Sequence, residues 1–269
     1  MAHVSSVKCG LFEPYRELFS QRELLFELAA RDLRIRYKQT LLGAAWALFT
    51  PLVMMLVFTQ IFARVAKIDT GDVPYPIFVY CGLLPWQFFS GSLKGSVESL
   101  TRNSRLVTKI YMPREVFPLA QILSSFVDFL VAGVVLAGLM AWYGYPPKWT
   151  MLALPLVVLV QFQIIVGLSL LLSMANLFFR DVKYIFEVVL LMWMFATSVV
   201  YPIRLDGRWG SILALNPMTP VIDAYRSTLL LGELPDAAGF GYAAAVGLAL
   251  VVVAFRWFHE SEYLFAENI

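Results

Sequence analysis

The stretch LNPMTPVIDAYR, residues 215–226, decides how this chain is laid out. It lies between two long apolar runs and carries Pro217, Pro220, Asp223 and Arg226 within the length of a membrane span. A charge near the bilayer centre costs roughly 2.5–3.5 kcal/mol on insertion scales, and each proline removes a backbone donor, so a simple span is disfavoured. The neighbouring ILAL and STLLLG segments are nevertheless too apolar for a solvated loop. The expectation is a re-entrant segment over 210–232, two short helices broken near 216–220 that dip into the outer leaflet and return. Such backbone is tolerated only where protein or a water-filled cavity covers it, so the stretch predicts a cavity at the outer face. Asn216, Pro217, Pro220, Asp223 and Arg226 are its marked residues; Asp223 and Arg226, three apart on one side of a helix, can satisfy each other or face that cavity. A full span here would move the C-terminus to the other side of the membrane.

Working outward, the composition is that of an integral membrane protein: of 269 residues, 59% are hydrophobic and 15% charged, against about 25% charged in a globular domain. Uncharged runs long enough for the roughly 20 helical residues of a span occupy 41–63, 73–93, 149–179 and 237–255. Two more, 116–143 with Asp128 and 184–203 with Glu187, carry one acid each. The predicted fold class is therefore an all-α integral membrane protein with six transmembrane helices, an N-terminal amphipathic interface helix and a re-entrant helix pair before the last span. Its parts are a cytoplasmic arm over 1–40, a six-span domain over 41–257 and a cytoplasmic tail over 258–269. The polar first forty residues contain no signal-peptide core, which predicts a cytoplasmic N-terminus. In that orientation 15 of the 21 Lys and Arg face the cytoplasm, as the positive-inside rule demands.

Residues 13–35 place Tyr15, Leu18, Phe19, Leu25, Phe26, Ala29 and Leu33 on one broad helical stripe. Two readings stay open for this helix: it lies in the inner membrane interface, or it packs on the protein's own cytoplasmic face. Directly after it, Arg31, Arg34, Arg36 and Lys38 put four cations in eight residues before the first span. They serve either as a topology anchor or as a cradle for an anionic headgroup or pyrophosphate. The loop 99–118 alternates Arg102, Arg105, Lys109 and Arg114 with apolar residues, and the turn 176–184 adds Arg180 and Asp181. Together they read as a docking surface for a soluble partner.

Catalytic chemistry is missing from the pattern. No G-x-x-x-x-G-K-[ST] phosphate loop, H-E-x-x-H or C-x-x-C is present; the only histidines are His3 and His259, and Cys9 and Cys81 have no metal-ligand spacing. A metal site and a nucleic-acid partner are not expected, the latter because the net charge is only +2. Asp128 and Glu187 are too sparse for an ion-coupled transporter and read as structural, Asp128 bonded between helices. Among the many aromatics, Tyr80, Trp86, Phe89 and Tyr201 are candidates to face a channel and stack on sugar rings.

The segments RDLRIRYKQTLLGAAWALFTPL, VPYPIFVYCGLLPWQFF, NSRLVTKIYMPREVFPLA, NLFFRDVKY and LNPMTPVIDAYR occur in the order and setting of a known family. The chain resembles ABC-type-two polysaccharide exporter permeases of the Wzm-type O-antigen kind, with teichoic acid permeases as siblings. The resemblance implies a homodimer in the bacterial inner membrane, paired with two copies of a cytoplasmic ABC ATPase subunit. It implies export of a polysaccharide linked to undecaprenyl diphosphate, O-antigen first, with teichoic acid or capsular polysaccharide, or a stand-alone flippase, as alternatives. It further implies no cofactor of its own, ATP and magnesium being used by the ATPase. By position, Arg31, Arg34, Arg36 and Lys38 would meet the lipid pyrophosphate; Arg102, Arg105, Lys109, Arg114, Arg180 and Asp181 would face the ATPase; and 204–232 would form the outer exit.

Overall fold

A computed structural model of the chain describes residues 21–38, 40, 43–109, 112–202, 210 and 213–268. The expected start of the arm helix, with Tyr15, Leu18 and Phe19, and residues 203–209, 211 and 212 at the entry to the expected re-entrant pair lie outside the described residues.

The described residues are helical or irregular, with no strand among them. In chain order the helices are α1 (Arg22–Tyr37), α2 (Trp46–Phe58, continuing as a π-helical turn Thr59–Val65), α3 (Tyr75–Val97), α4 (Ser99–Arg102), α5 (Ser104–Lys109) and α6 (Val116–Trp142). They continue with α7 (Leu154–Phe178, entered through a 3-10 turn at Trp149–Ala153), α8 (Val182–Phe195), α9 (Met218–Arg226, continuing as a π-helical turn Ser227–Leu231) and α10 (Ala237–Asn268).

Four of these elements are long and apolar enough to cross a membrane: Trp46–Val65, Val116–Trp142, Trp149–Phe178 and Ala237–Glu262. The two other predicted runs behave differently. The 23 residues of α3 reach about 34 Å, enough to span. Its sequence includes Gln87, Ser90, Ser92 and Lys94; Ser92 is enclosed by neighbouring helices, Gln87 and Ser90 are half-buried and Lys94, near its end, is exposed. Helix α8 has 14 residues, about 21 Å, and stops at Phe195 instead of running to 203. There Thr197 and Ser198 leave the helical ladder: the Asn216 amide donates to Ala196 O at 3.0 Å and to Thr197 Oγ1 at 2.8 Å, and Ser198 donates to Asp223 at 2.7 Å.

Helix α3 is the axis of the larger core. Ile77, Val79, Tyr80, Cys81, Phe89 and Leu93 are fully enclosed by α2, α6, α7, α8 and α9. Helix α10 lies along α7, where Gly167 admits the backbone of Leu250: a Cβ on Gly167 would sit 2.6 Å from Leu250 Cβ and 2.8 Å from its carbonyl carbon. Small residues at such crossings let membrane helices approach closely and gain dispersion contacts that lipid cannot supply.

A second, smaller core joins Leu28 and Ala29 of α1, Leu100, Val107, Val116 and Phe117 of the α4–α6 region, Leu177 of α7 and Phe258 and Phe265 of α10. Arg114 donates to the carbonyl of Glu262 beside it. The arm, the 99–115 loop and the end of the chain therefore lie on one face of the molecule.

Candidate functional site

Helix α1 is latched to α6 by polar contacts spaced along both helices. Ser124 donates to Ala29 O at 3.0 Å, Gln121 donates to Asp32, and Arg36 and Tyr37 both reach Asp128, the tyrosine at 2.6 Å. Burial first, and then the bond to Asp128, push the Tyr37 phenol up to about 12, so it stays a donor at neutral pH. Leu28 and Ala29 are buried against the protein, while Phe26 (60% exposed) and Ile35 (65%) remain on the outside as an apolar edge, so this helix packs on the chain and still presents an apolar face outward.

Three of the four predicted cations share an open groove of about 820 Å³ on that outer side, where Arg31, Arg34 and Lys38 stand beside Glu27, Leu28, Ile35 and Tyr37. Arg34 and Glu27 are 3.8 Å apart and both largely solvated, so their attraction is screened and leaves Arg34 available. Arg31 bonds Asp32 at 2.9 Å and Asn103 at 2.9 Å, joining the groove to the junction of α4 and α5. Arg36 departs from the sequence expectation. Its guanidinium turns inward to Asp128, because an acid inside a span needs a cation and this cluster supplies the nearest one.

The loop residues divide as well. Arg102, Arg105, Arg180 and Asp181 are exposed; Arg102 bonds Glu98 at 3.1 Å. The side chain of Lys109 lies outside the described residues. Arg114 is not free to dock a partner: it lies over the Phe265 ring at 5.7 Å and 3.8 Å from Glu262, holding the chain's end. A residue missed in the sequence, Glu98, joins the two loops through Lys183 at 2.9 Å. The lysine's hydrogen bond holds the Glu98 carboxyl below its ordinary range, and Glu98 in turn raises Lys183.

In the 215–226 stretch, Asn216 Oδ1 accepts from Trp193 Nε1 at 2.9 Å and from the backbone N–H of Met218 at 3.0 Å, bracing the start of α9. Pro217 precedes the first turn and Pro220 falls within it, where a missing N–H costs no intrahelical bond. Arg226 meets Asp223 at 3.2 Å, as the spacing predicted, and also donates to Val199 O at 2.8 Å while lying 3.7 Å over the Phe78 ring. Gly232, at φ 80°, closes the following turn in the left-handed region that glycine adopts without penalty.

The aromatics expected to face a channel are mostly interior. Tyr80 is fully enclosed and donates to Ala132 O at 3.1 Å; Phe89 packs edge-on to Trp193 at 5.2 Å; Trp86 is buried against Phe89. Helix α3 is the centre of the chain's own core, so these three rings are spent on packing. Tyr201 is half-buried and bonds Phe195 O.

A chain whose described residues form no strand, with four helices long and apolar enough to cross a membrane, a basic groove and, among the described residues, no metal-binding cluster of His, Cys, Asp or Glu, is a multi-pass integral membrane protein. Residues 23–230 match the ABC-2 type transporter family, and the chain belongs to it. It is 33% identical over 257 residues to the O-antigen export system permease protein RfbA of Myxococcus xanthus, covering 94% of this chain and 98% of that one. It is 28% identical over 250 residues to the protein of the same name from Klebsiella pneumoniae, covering 91% and 94%. The polysialic acid transport protein KpsM of Escherichia coli is 23% identical over 248 residues, with 90% and 95% covered.

Proposed function

We propose that this chain is the permease subunit of an ATP-driven exporter that moves a lipid-linked polysaccharide, of O-antigen type, out of the cytoplasm. The observation that carries this reading is the α1 groove: Arg31, Arg34 and Lys38 stand together in an open channel next to exposed Ile35, an arrangement suited to a pyrophosphate whose hydrocarbon chain stays in the bilayer. The RfbA relatives, similar over nearly the whole chain and named O-antigen permeases, support the same class of cargo. Similarity to KpsM supports a second reading, in which the cargo is a capsular polysaccharide.

In this reading the protein sits in the bacterial inner membrane as a homodimer with two copies of a cytoplasmic ABC ATPase, which alone use ATP and magnesium. The permease needs no cofactor. Its six spans are the four apolar helices together with α3 and with α8 continued by the irregular stretch after Phe195, with 1–40 and 258–269 cytoplasmic and 210–232 re-entrant. Grouping of α1, the 99–115 loop and Phe265 in one small core supports an even number of crossings. Arg102, Arg105, Lys109, Arg180 and Asp181 face the ATPase.

Replacing Arg31 and Arg34 by Lys separates the groove from a topology anchor. Lysine keeps the charge that sets orientation and loses the planar fork that binds phosphate oxygens in pairs. Export should fall while membrane insertion stays normal; normal export from the double variant would leave only the anchor role.

A further inference from the structure

Beyond Tyr37 the α1 groove adjoins a second cavity of about 350 Å³, set between the end of α1 and helices α2, α3 and α6. Its polar lining includes Arg36, Tyr37, Gln87, Ser125 and Asp128, and Trp46, 43% exposed, stands at its side. Ser125 is only 4% exposed, and its hydroxyl has no hydrogen-bond partner among the described residues. A buried hydroxyl left without a partner is costly, and here it lines a cavity large enough to hold one. The charges of Arg36 and Asp128 cancel each other, so this cavity, unlike the groove, offers no net attraction to a phosphate. It suits an uncharged polyhydroxyl group: a guanidinium and a carboxylate can each take two hydroxyls, Gln87 and Ser125 add neutral partners, and the indole supplies an apolar face.

We propose that this cavity is a saccharide subsite that holds the sugar next to the pyrophosphate of the exported glycolipid. The inference rests on the reading of the chain as an exporter permease. The features such a ligand needs stand side by side: exposed Ile35 and the cations share the groove, for the hydrocarbon chain and the pyrophosphate, and Tyr37 lines both the groove and the cavity that would take the first sugar.

Gly91 offers a way to close the cavity without disturbing the fold. A Cβ there meets only Ser125 Oγ, at 3.8 Å, so a larger side chain grows into the empty space. The experiment uses the permease purified with its ATPase partner, with glucose, galactose and N-acetylglucosamine as probes in saturation-transfer NMR and inorganic pyrophosphate as probe in calorimetry. At least one sugar should bind saturably. Gly91→Leu and Gln87→Leu should each weaken it by about tenfold or more, the loss expected when one or two neutral hydrogen bonds go, with pyrophosphate binding unchanged. Arg31→Lys with Arg34→Lys should do the reverse. Gln87→Leu, nearly isosteric, decides the matter if Gly91→Leu fails to assemble. Absence of sugar binding, or sugar binding indifferent to Gln87→Leu, overturns the subsite. Sugar binding that responds as expected without any pyrophosphate binding would overturn the groove reading and leave the subsite standing.

Discussion

Replacing Arg226 by Met tests what holds the 215–232 segment in place. Met keeps an apolar stem of similar reach and removes the guanidinium. That group is 7% exposed and donates to Val199 O at 2.8 Å and Phe78 O at 3.4 Å, besides its contact with the Phe78 ring. Its partner Asp223 is 52% exposed and retains Ser198, so losing the ion pair itself costs little. The larger loss is the charge-assisted bond to Val199 O, worth about 1.5–3 kcal/mol and overlapping with the cost of an unpaired buried carbonyl. A desolvated cation–π contact adds about 1–2 kcal/mol. Relief from burying a charge offsets part of this, leaving a net destabilisation of about 2–4 kcal/mol. Denaturant unfolding of the detergent-solubilised permease measures it, and hydrogen exchange should show the loosening concentrated in α9. Stability within about 0.5 kcal/mol of wild type would refute the reasoning and leave the packing of Met218, Val221 and Ile222 as the whole explanation. The facing position gives an independent check: a Cβ at Gly82 would lie 2.6 Å from Arg226 Nη2 and 2.7 Å from Val199 O, so Gly82→Ala should disturb the same latch.

Gly167→Ala should cost about 1–3 kcal/mol by forcing α10 away from α7, read as a lowered unfolding midpoint; an unchanged midpoint would mean that the two helices slide freely. Glu98 is held below its ordinary 4.5 by Lys183, so its contribution is present above that value and fades as pH falls through the lowered one. The raised Lys183 contributes below 10.5 and ceases to as pH rises past its own folded value. A midpoint gap between wild type and Glu98→Gln should therefore persist across neutrality and close in acid; a gap constant into strong acid would assign the effect to something other than the bridge. Arg105→Glu with Lys109→Glu should weaken co-purification of the ATPase, and undiminished co-purification would place the dock elsewhere. A cysteine replacing Glu233 should react with an impermeant reagent outside the cell, and one replacing Glu260 only after the cell is opened; labelling of the second in intact cells would remove the six-span arrangement.

What was legible in the sequence followed from strong physical constraints. Four uncharged runs had to be helices because no other open structure satisfies backbone polar groups in lipid, and the three-residue spacing of Asp223 and Arg226 put them on one side of a helix, where they do pair. What was illegible depended on partners distant in sequence. The apolar run 184–203 concealed the end of α8 because the residue that terminates it, Asn216, comes twenty positions later. Tyr80, Trp86 and Phe89 looked available for a channel because composition does not distinguish a helix facing lipid or a lumen from one surrounded by its own chain. Arg36 was grouped with its neighbours by proximity, yet on a helix it points away from Arg31, Arg34 and Lys38, toward the one acid in the third predicted span.

That separation of Arg36 from the other cations bears on how the 99–109 loop and the α1 groove communicate. Arg31 is shared between Asn103, at the junction of α4 and α5, and Asp32, which also accepts from Gln121 of α6. A shift of α4 and α5 relative to α6 must therefore either carry Arg31 with it or break one of these bonds, and Arg31 is itself a wall of the groove. Arg36 and Tyr37 stay tied to Asp128 of the same helix α6 that holds Ala29 and Asp32, so Arg31 is a point at which α1 also meets the α4–α5 region. A partner pressing on the exposed residues of the 99–109 loop would reach the cations through the Arg31–Asn103 bond and the cavity beyond Tyr37 through α3 and α6, on which α4 packs.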